Sequence, residues 1–289
     1  MASLIDIRRR LRSLKNTQQI TKAMKMVAAA RLRRAQDRAI AARPYAKALR
    51  EVLASVSARV SEISHPLLAE REEKNVAVLI VAGDRGLAGA FNANVNRAVA
   101  QLLSGKAWES VTLTAIGKKA LEFWRRRKTP LSARNYPGVF SRIEYATAKE
   151  IADGLAAAFA EGSIDAAYIV YNEFRSVMSQ IVRVDRLLPI ARAEVALAEA
   201  ARGGVEPLFE PDPATILSRL LPRYLEFTVF RILLESAAAE YGARMTAMDS
   251  ASKNAGDMID SLTLTYNRAR QARITKELIE IVSGAAAQE

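Results

Sequence analysis

The chain has 289 residues, half of them apolar and 26% charged, with no cysteine and one histidine, His65. That suits one large or two ordinary soluble domains. It excludes a disulfide framework, a thiolate zinc site and a cysteine nucleophile, and it leaves a multi-histidine metal site without ligands. The net charge of +12 is unevenly placed: residues 1–60 hold 15 Lys/Arg against Asp6, Asp37 and Glu51, while the rest hold 28 of each sign. The N-terminal element is therefore expected to meet something acidic. No apolar run approaches the roughly 20 residues that cross a bilayer, and the charged start Asp6–Arg10 leads into no apolar segment. A cytoplasmic chain is expected.

From Leu4, alternate steps of three and four residues visit Leu4, Ile7, Leu11, Leu14, Gln18, Thr21, Lys25, Ala28, Leu32, Ala35, Ala39, Ala42, Ala46, Leu49, Leu53, Val56, Val60 and Ile63. Only three of these 18 positions are polar, and they are consecutive. A sustained 3,4 spacing predicts a helix over residues 1–63, about 90 Å long, in a left-handed coiled coil. Pro44 predicts a kink, because the pattern keeps its phase across it. The polar positions Gln18, Thr21 and Lys25 are expected to mark where the helix stops facing its sister, with Ile20, Met24 and Val27 on a shifted apolar face.

Residues 75–190 read as an inserted domain. Strands are predicted at Asn75–Ala82, Ser110–Ile116, Ala167–Tyr171 and Gln180–Val184, and helices at about 92–104, 118–128 and 146–161. This alternation predicts a mostly parallel sheet with helical cover. Residues 191–212, rich in Pro, Gly and acids, predict a connecting loop. A second long helix is predicted over 213–286, with an N-cap near Asp212 and Pro213 in its first turn. Its stripe, Leu234, Ala238, Tyr241, Met245, Met248, Ser252, Ala255, Ile259, Leu262, Tyr266 and Ala269, repeats the coiled-coil spacing. Past Ala269 the phase changes, and Ile274, Leu278, Ile281, Val282 and Ala285 form a fresh apolar face. Neither long helix can bury its stripe alone, so the two are expected to pack antiparallel.

Few residues suggest chemistry. Gly83–Ala90 follows a strand and precedes a helix, as phosphate-binding turns do, but it matches neither GxGxxG nor GxxxxGK[ST]. A structural turn capped by Asp84 or Asn92 is the expectation. His65, before Pro66 in a polar linker, is expected to have a surface role. Arg125–Lys128 ends a helix where cations complement the dipole. The carboxylates are scattered, so no catalytic, cofactor-binding or metal-binding residue is assigned. The basic face of residues 8–50 lacks the acids that an inert helix mixes in as i,i+4 pairs. Residues 1–44 also lack the aromatics of a nucleic-acid surface, which favours an acidic protein partner. The rival readings are a nucleic-acid-binding coiled coil and a nucleotide-binding enzyme built on the insert.

Thr17-Gln-Gln-Ile-Thr-Lys-Ala-Met-Lys-Met-Val-Ala-Ala-Ala30 closely resembles the N-terminal helix of F-type ATP synthase gamma subunits. Leu262-Thr-Leu-Thr-Tyr-Asn-Arg-Ala-Arg-Gln-Ala-Arg-Ile-Thr-Lys-Glu, continuing to Ala285, resembles that family's C-terminal signature, as do Arg244–Met248, Ala251–Ser252, Asn254–Ala255 and Met258–Ile259. Asp84–Asn92 and Leu208–Pro213 are similar to its internal motifs. Ala88 departs from the cysteine of many relatives, and no cysteine-bearing regulatory insert is present. The resemblance implies an α/β fold with a long antiparallel left-handed coiled coil of both termini and an inserted Rossmann-like domain. It also implies a non-catalytic central rotor shaft, without cofactor, that couples c-ring rotation to an alpha/beta hexamer. Lys22, Met24, Lys25 and Arg244 would face an acidic lever of the beta subunits, and Arg270, Gln271 and Thr275 would form a further beta contact. Glu206, Leu208, Phe209, Glu210 and Asp212 would lie near epsilon and the c ring. The implied setting is the cytoplasmic face of a bacterial inner membrane, reached only through the complex, with no nucleic acid.

Overall fold

The computed structural model describes residues 4–57, 65–127, 129–191 and 212–286. Helix α1 (Leu4–Ser57) is followed by a 3₁₀ turn (Pro66–Leu68), β1 (Asn75–Val81), α2 (Phe91–Gly105), β2 (Ser110–Ile116) and α3 (Lys118–Arg126). A second 3₁₀ turn (Val139–Ser141), α4 (Tyr145–Ala160), β3 (Ala166–Phe174), β4 (Gln180–Leu188) and α5 (Pro213–Ala286) complete the order. The chain forms two compact units, Met1–Ala28 with Met245–Glu289, and Ala29–Arg244. Both long helices contribute to each.

In the smaller unit α1 and α5 are antiparallel. Arg8 Nη2 donates to the Tyr266 hydroxyl at 2.8 Å, Gln18 Nε2 to the Ser252 carbonyl at 3.4 Å, and Lys25 Nζ to Asp249 Oδ1 at 2.6 Å. Partner numbers fall as α1 numbers rise. The 3,4 stripe is the buried seam: Ile7, Ala28, Met248 and Ala255 are buried, and Leu11, Leu14, Ile259 and Leu262 half-buried. One expectation is corrected here, because the polar positions 18, 21 and 25 do not end the helix pairing. Thr21 is buried and satisfies its hydroxyl on the Gln18 carbonyl at 3.0 Å, while Gln18 and Lys25 reach across to α5. Ile20 and Val27 are more than half exposed, on the shifted face expected of them. Three polar side chains stay in an apolar seam because each finds a hydrogen-bond partner there.

In the larger unit a four-stranded sheet has the order β2-β1-β3-β4. β1 is parallel to β2 and β3, with Val78 opposite Leu113 and Tyr168, and β4 runs antiparallel to β3. Strand alternation sorts β1 onto two cores. Ala77, Leu79 and Val81 face α4, α1 (Leu49, Leu53, Val56) and α5 (Leu221, Leu225, Val229, Ile232). Val76, Val78 and Ile80 face α2 (Val95, Val99) and α3 (Ala120, Trp124). Arg31 of α1 lies 6.0 Å from the Tyr241 ring of α5 and Tyr45 4.8 Å from the Phe227 ring, so the two helices are antiparallel here as well. α1 continues through Pro44, and α5 through Pro222. Asp212 caps α5 by accepting from the Thr215 amide at 2.9 Å and the Thr215 hydroxyl at 2.7 Å.

Ser236 of α5 is fully buried and its hydroxyl has no partner among the described residues. Burying an unsatisfied hydroxyl costs about 1 kcal/mol or more. Ser236→Ala is expected to stabilise the fold by about 1 kcal/mol, seen as a higher urea midpoint at unchanged slope.

Candidate partner-binding surfaces

The turn after β1 sets the inner geometry of the larger unit. Asp84 accepts from the Lys118 and Gly138 amides on Oδ1, at 2.9 and 2.7 Å, and from the Phe140 amide on Oδ2 at 2.9 Å. Asn92 Oδ1 accepts from the Gly83 amide at 2.8 Å. Both side chains expected to cap this turn therefore do so. The turn is no phosphate cradle: a Cβ on Gly83 would lie 2.6 Å from Glu240 Oε1, so a carboxylate of α5 already fills that space. Gly117 has φ +96°, and a Cβ there would collide with the Ala82 carbonyl, which ties the β2–α3 corner to the same turn. Asp84→Ala strands three amides and is expected to cost about 3 kcal/mol, measured by urea unfolding.

Glu240 is buried and accepts from Arg244 Nη2 at 2.6 Å; the same guanidinium reaches the Gly86 carbonyl at 3.3 Å. Burial pushes the Glu240 carboxyl above its ordinary range, opposed by Arg244. Glu226, also buried, accepts from the Tyr145 hydroxyl at 2.6 Å and from Lys149 at 2.8 Å. Burial, and then Glu226, raises the Tyr145 phenol. These carboxylates are consumed by structural pairing. His65 Nδ1 accepts from the Leu67 amide at 3.2 Å, and burial lowers its pKa. The expected surface role is thus replaced by a turn cap, required because Leu67 and Leu68 behind it are buried.

Of the residues expected to meet partners, Lys22 is exposed, Met24 half-buried, and Lys25 is engaged with Asp249 of its own chain. Lys25 first, then Lys253, hold the Asp249 carboxyl below the usual range. Arg270, Gln271 and Thr275 are all exposed on α5. Asp249, opposite Lys25, precedes Arg270 by 21 residues, about 30 Å of helix, so the two sets are separate surfaces. Arg244 belongs to the larger unit and is buried. Asp212 is the α5 cap, whereas Glu206, Leu208, Phe209 and Glu210 lie outside the described residues, as does most of the expected loop.

Past Ala269 every described side chain of α5 to residue 283 is exposed. Ile274, Leu278, Ile279, Ile281 and Val282 are 48–67% exposed. Five large apolar side chains on one short stretch form a patch of the kind that marks an interaction site. The change of phase after Ala269 pointed to this face. A second feature was hidden from sequence reasoning: a cleft of about 450 Å³ lined by Arg31, Arg34, Arg38, Arg85, Arg142 and Arg244. Only the general basicity of residues 8–50 hinted at it, because half of those arginines come from elsewhere in the chain.

The chain matches the ATP synthase protein family over residues 3–288. It is 51% identical to an ATP synthase gamma chain of Solibacter usitatus over 293 residues, covering all of both chains. It is 50% identical to an ATP synthase gamma chain of Chlorobaculum tepidum, covering 99% of this chain and 98% of that one. Among solved structures, it is similar to a chain of the Tetrahymena thermophila mitochondrial ATP synthase central stalk and c-ring, at 25% identity and TM-score 0.55, over 81% of this chain and 99% of that one. A chain of the Euglena gracilis mitochondrial ATP synthase shares the fold at 21% identity and TM-score 0.69, covering 99% of this chain and 94% of that one.

Proposed function

This chain belongs to the ATP synthase gamma-chain family, and from that premise we infer that it is the central rotor shaft of an ATP synthase, coupling c-ring rotation to the states of a catalytic alpha/beta hexamer. Nucleotide chemistry then belongs to other chains. The observation that carries the reading at the level of residues is the naked end of α5, residues 271–283, which exposes Ile274, Leu278, Ile279, Ile281 and Val282. Such a face needs a cover. A collar of alpha and beta subunits supplies one that lets a smooth apolar rod turn, since broad apolar surface tolerates sliding better than interlocking pockets. Exposed Arg270, Gln271 and Thr275 lie where that collar begins, for a beta contact. Lys22 and Met24 face outward enough for an acidic lever of beta, and Lys25 contributes from within its pair with Asp249. Arg244 would act from the larger unit as the anchor of Glu240.

A shaft biases a catalytic site only by interacting differently with that site's alternative states. The charge is distributed as this demands: the excess positive charge sits on α1, so the helix pair presents chemically unlike sides to three equivalent neighbours. Epsilon and the c ring are assigned to the larger unit, with Glu206, Leu208, Phe209, Glu210 and Asp212 proposed as their contacts. No described helix is long and apolar enough to cross a membrane, and the proposed setting is the cytoplasmic face of a bacterial inner membrane, held there through the complex. Purification of tagged chain from native membranes tests the assignment. Recovery with three alpha and three beta chains per copy is expected; recovery alone, or with nucleic acid, contradicts it.

A further inference from the structure

We propose that the arginine-lined cleft of the larger unit binds a small anion carrying two or more phosphates. The inference is independent of the shaft reading, because it rests on the cleft alone. Arg31, Arg34 and Arg38 follow one another at helical spacing on one stripe of α1. Arg85 from the turn after β1 and Arg142 from the segment before α4 complete the walls, and Arg244 stands at the α5 side.

Only two acids share this lining, Asp84 and Glu240, and both are spent. Asp84 accepts three backbone amides on its two oxygens, and Glu240 holds Arg244 at 2.6 Å. Arg142 pairs with Glu144 at 2.8 Å, and Arg38 gives one N–H to the Ile143 carbonyl at 2.6 Å. The guanidinium groups of Arg34 and Arg85 have no hydrogen-bond or carboxylate partner among the described residues; that of Arg31 lies 6.0 Å from the Tyr241 ring centre and acts on Glu240 only through its charge, without a hydrogen bond. Asp37, one turn from Arg34, forms no ion pair among the described residues either.

Converging unpaired cations repel one another, and an oxyanion relieves that repulsion. Each guanidinium presents five donors in a planar fork matched to phosphate oxygens. Phe140, Ile143, Leu234 and Ala237 also line the cleft. They lower the local polarity and strengthen charge attraction. The volume lies within the range of small-molecule sites, and donors on separate walls suit an anion long enough to be gripped at both ends. The phosphates would meet side chains of the cleft and not the backbone of Gly83–Gly89, since Glu240 occupies the space above Gly83.

Isothermal titration of the full chain with inorganic pyrophosphate is the test, with orthophosphate, ATP and a ten-residue Asp/Glu peptide as parallel arms. One saturable site per chain is expected, binding pyrophosphate more tightly than orthophosphate. Arg34→Gln with Arg85→Gln should weaken it at least tenfold, Arg34→Lys with Arg85→Lys should restore part of the loss, and Lys15→Gln with Lys22→Gln should change it less than twofold. ATP that competes with pyrophosphate at one site supports a nucleotide as the source of the phosphates; ATP that does not compete supports the free polyphosphate. Absence of saturable binding, equal loss in the Lys15/Lys22 control, or tighter binding of the acidic peptide at the same arginines would overturn the proposal.

Discussion

Glu240→Ala is expected to lower the unfolding free energy at neutral pH by about 3 kcal/mol, because it leaves the Arg244 guanidinium buried without its carboxylate. The pair is 2.6 Å long, and its side chains are 3% and 10% exposed. Removing both partners is a different matter, since apolar replacement of a whole buried pair is often nearly neutral. Glu240→Ala with Arg244→Met should therefore recover most of the loss, and strictly additive effects in urea unfolding would show that the pair is not coupled. Glu240 also fills the space above Gly83, so Gly83→Ala should be tolerated better once Glu240 is alanine. The pH dependence has a definite sign. Burial raises the folded-state pKa of Glu240 above its ordinary 4.5. Its favourable contribution is complete below that value and declines as pH rises through the folded pKa. Glu240→Gln should remove that decline.

Ile274→Asp with Leu278→Asp has the opposite profile. Both side chains are exposed, at 48% and 56%, so the isolated chain should unfold within about 0.5 kcal/mol of the parent. In an assembled complex the same carboxylates would be pressed against a cover that expects apolar surface. Losing the burial of two such side chains and desolvating two charges corresponds to at least about tenfold in the interaction. Coupled ATP synthesis in membrane vesicles should fall by about that factor. Equal synthesis by parent and variant would show that residues 271–283 need no apolar cover.

Much of this was legible in the sequence because it is periodic. The 3,4 stripe marks the buried side of α1 from Leu4 to Val56 and of α5 from Leu234 to Ala269, and short apolar runs that end at Gly83 and Gly117 mark the first two strands of the sheet. Asp212 and Pro213 announce the start of α5. The polar seam positions misled because polarity says that a side chain needs a partner, not where the partner stands. Gln18 and Lys25 find theirs more than 200 residues away, on Ser252 and Asp249. The arginine cleft and the placement of Glu240 above Gly83 were invisible for the same reason: the fold, not sequence spacing, brings α1, the turn after β1, Arg142 and α5 together. His65 likewise carries no local sign of capping beyond the proline that follows it.

Rotation is the direct test of the shaft. The chain has no cysteine, and Met178 in the loop between β3 and β4 is 80% exposed, so Met178→Cys offers a unique site for a bead. With the alpha/beta hexamer fixed to a surface and ATP supplied, the bead is predicted to turn continuously in one direction, stopping when ATP is withdrawn. ATP hydrolysis at full rate under a stationary bead would contradict the account.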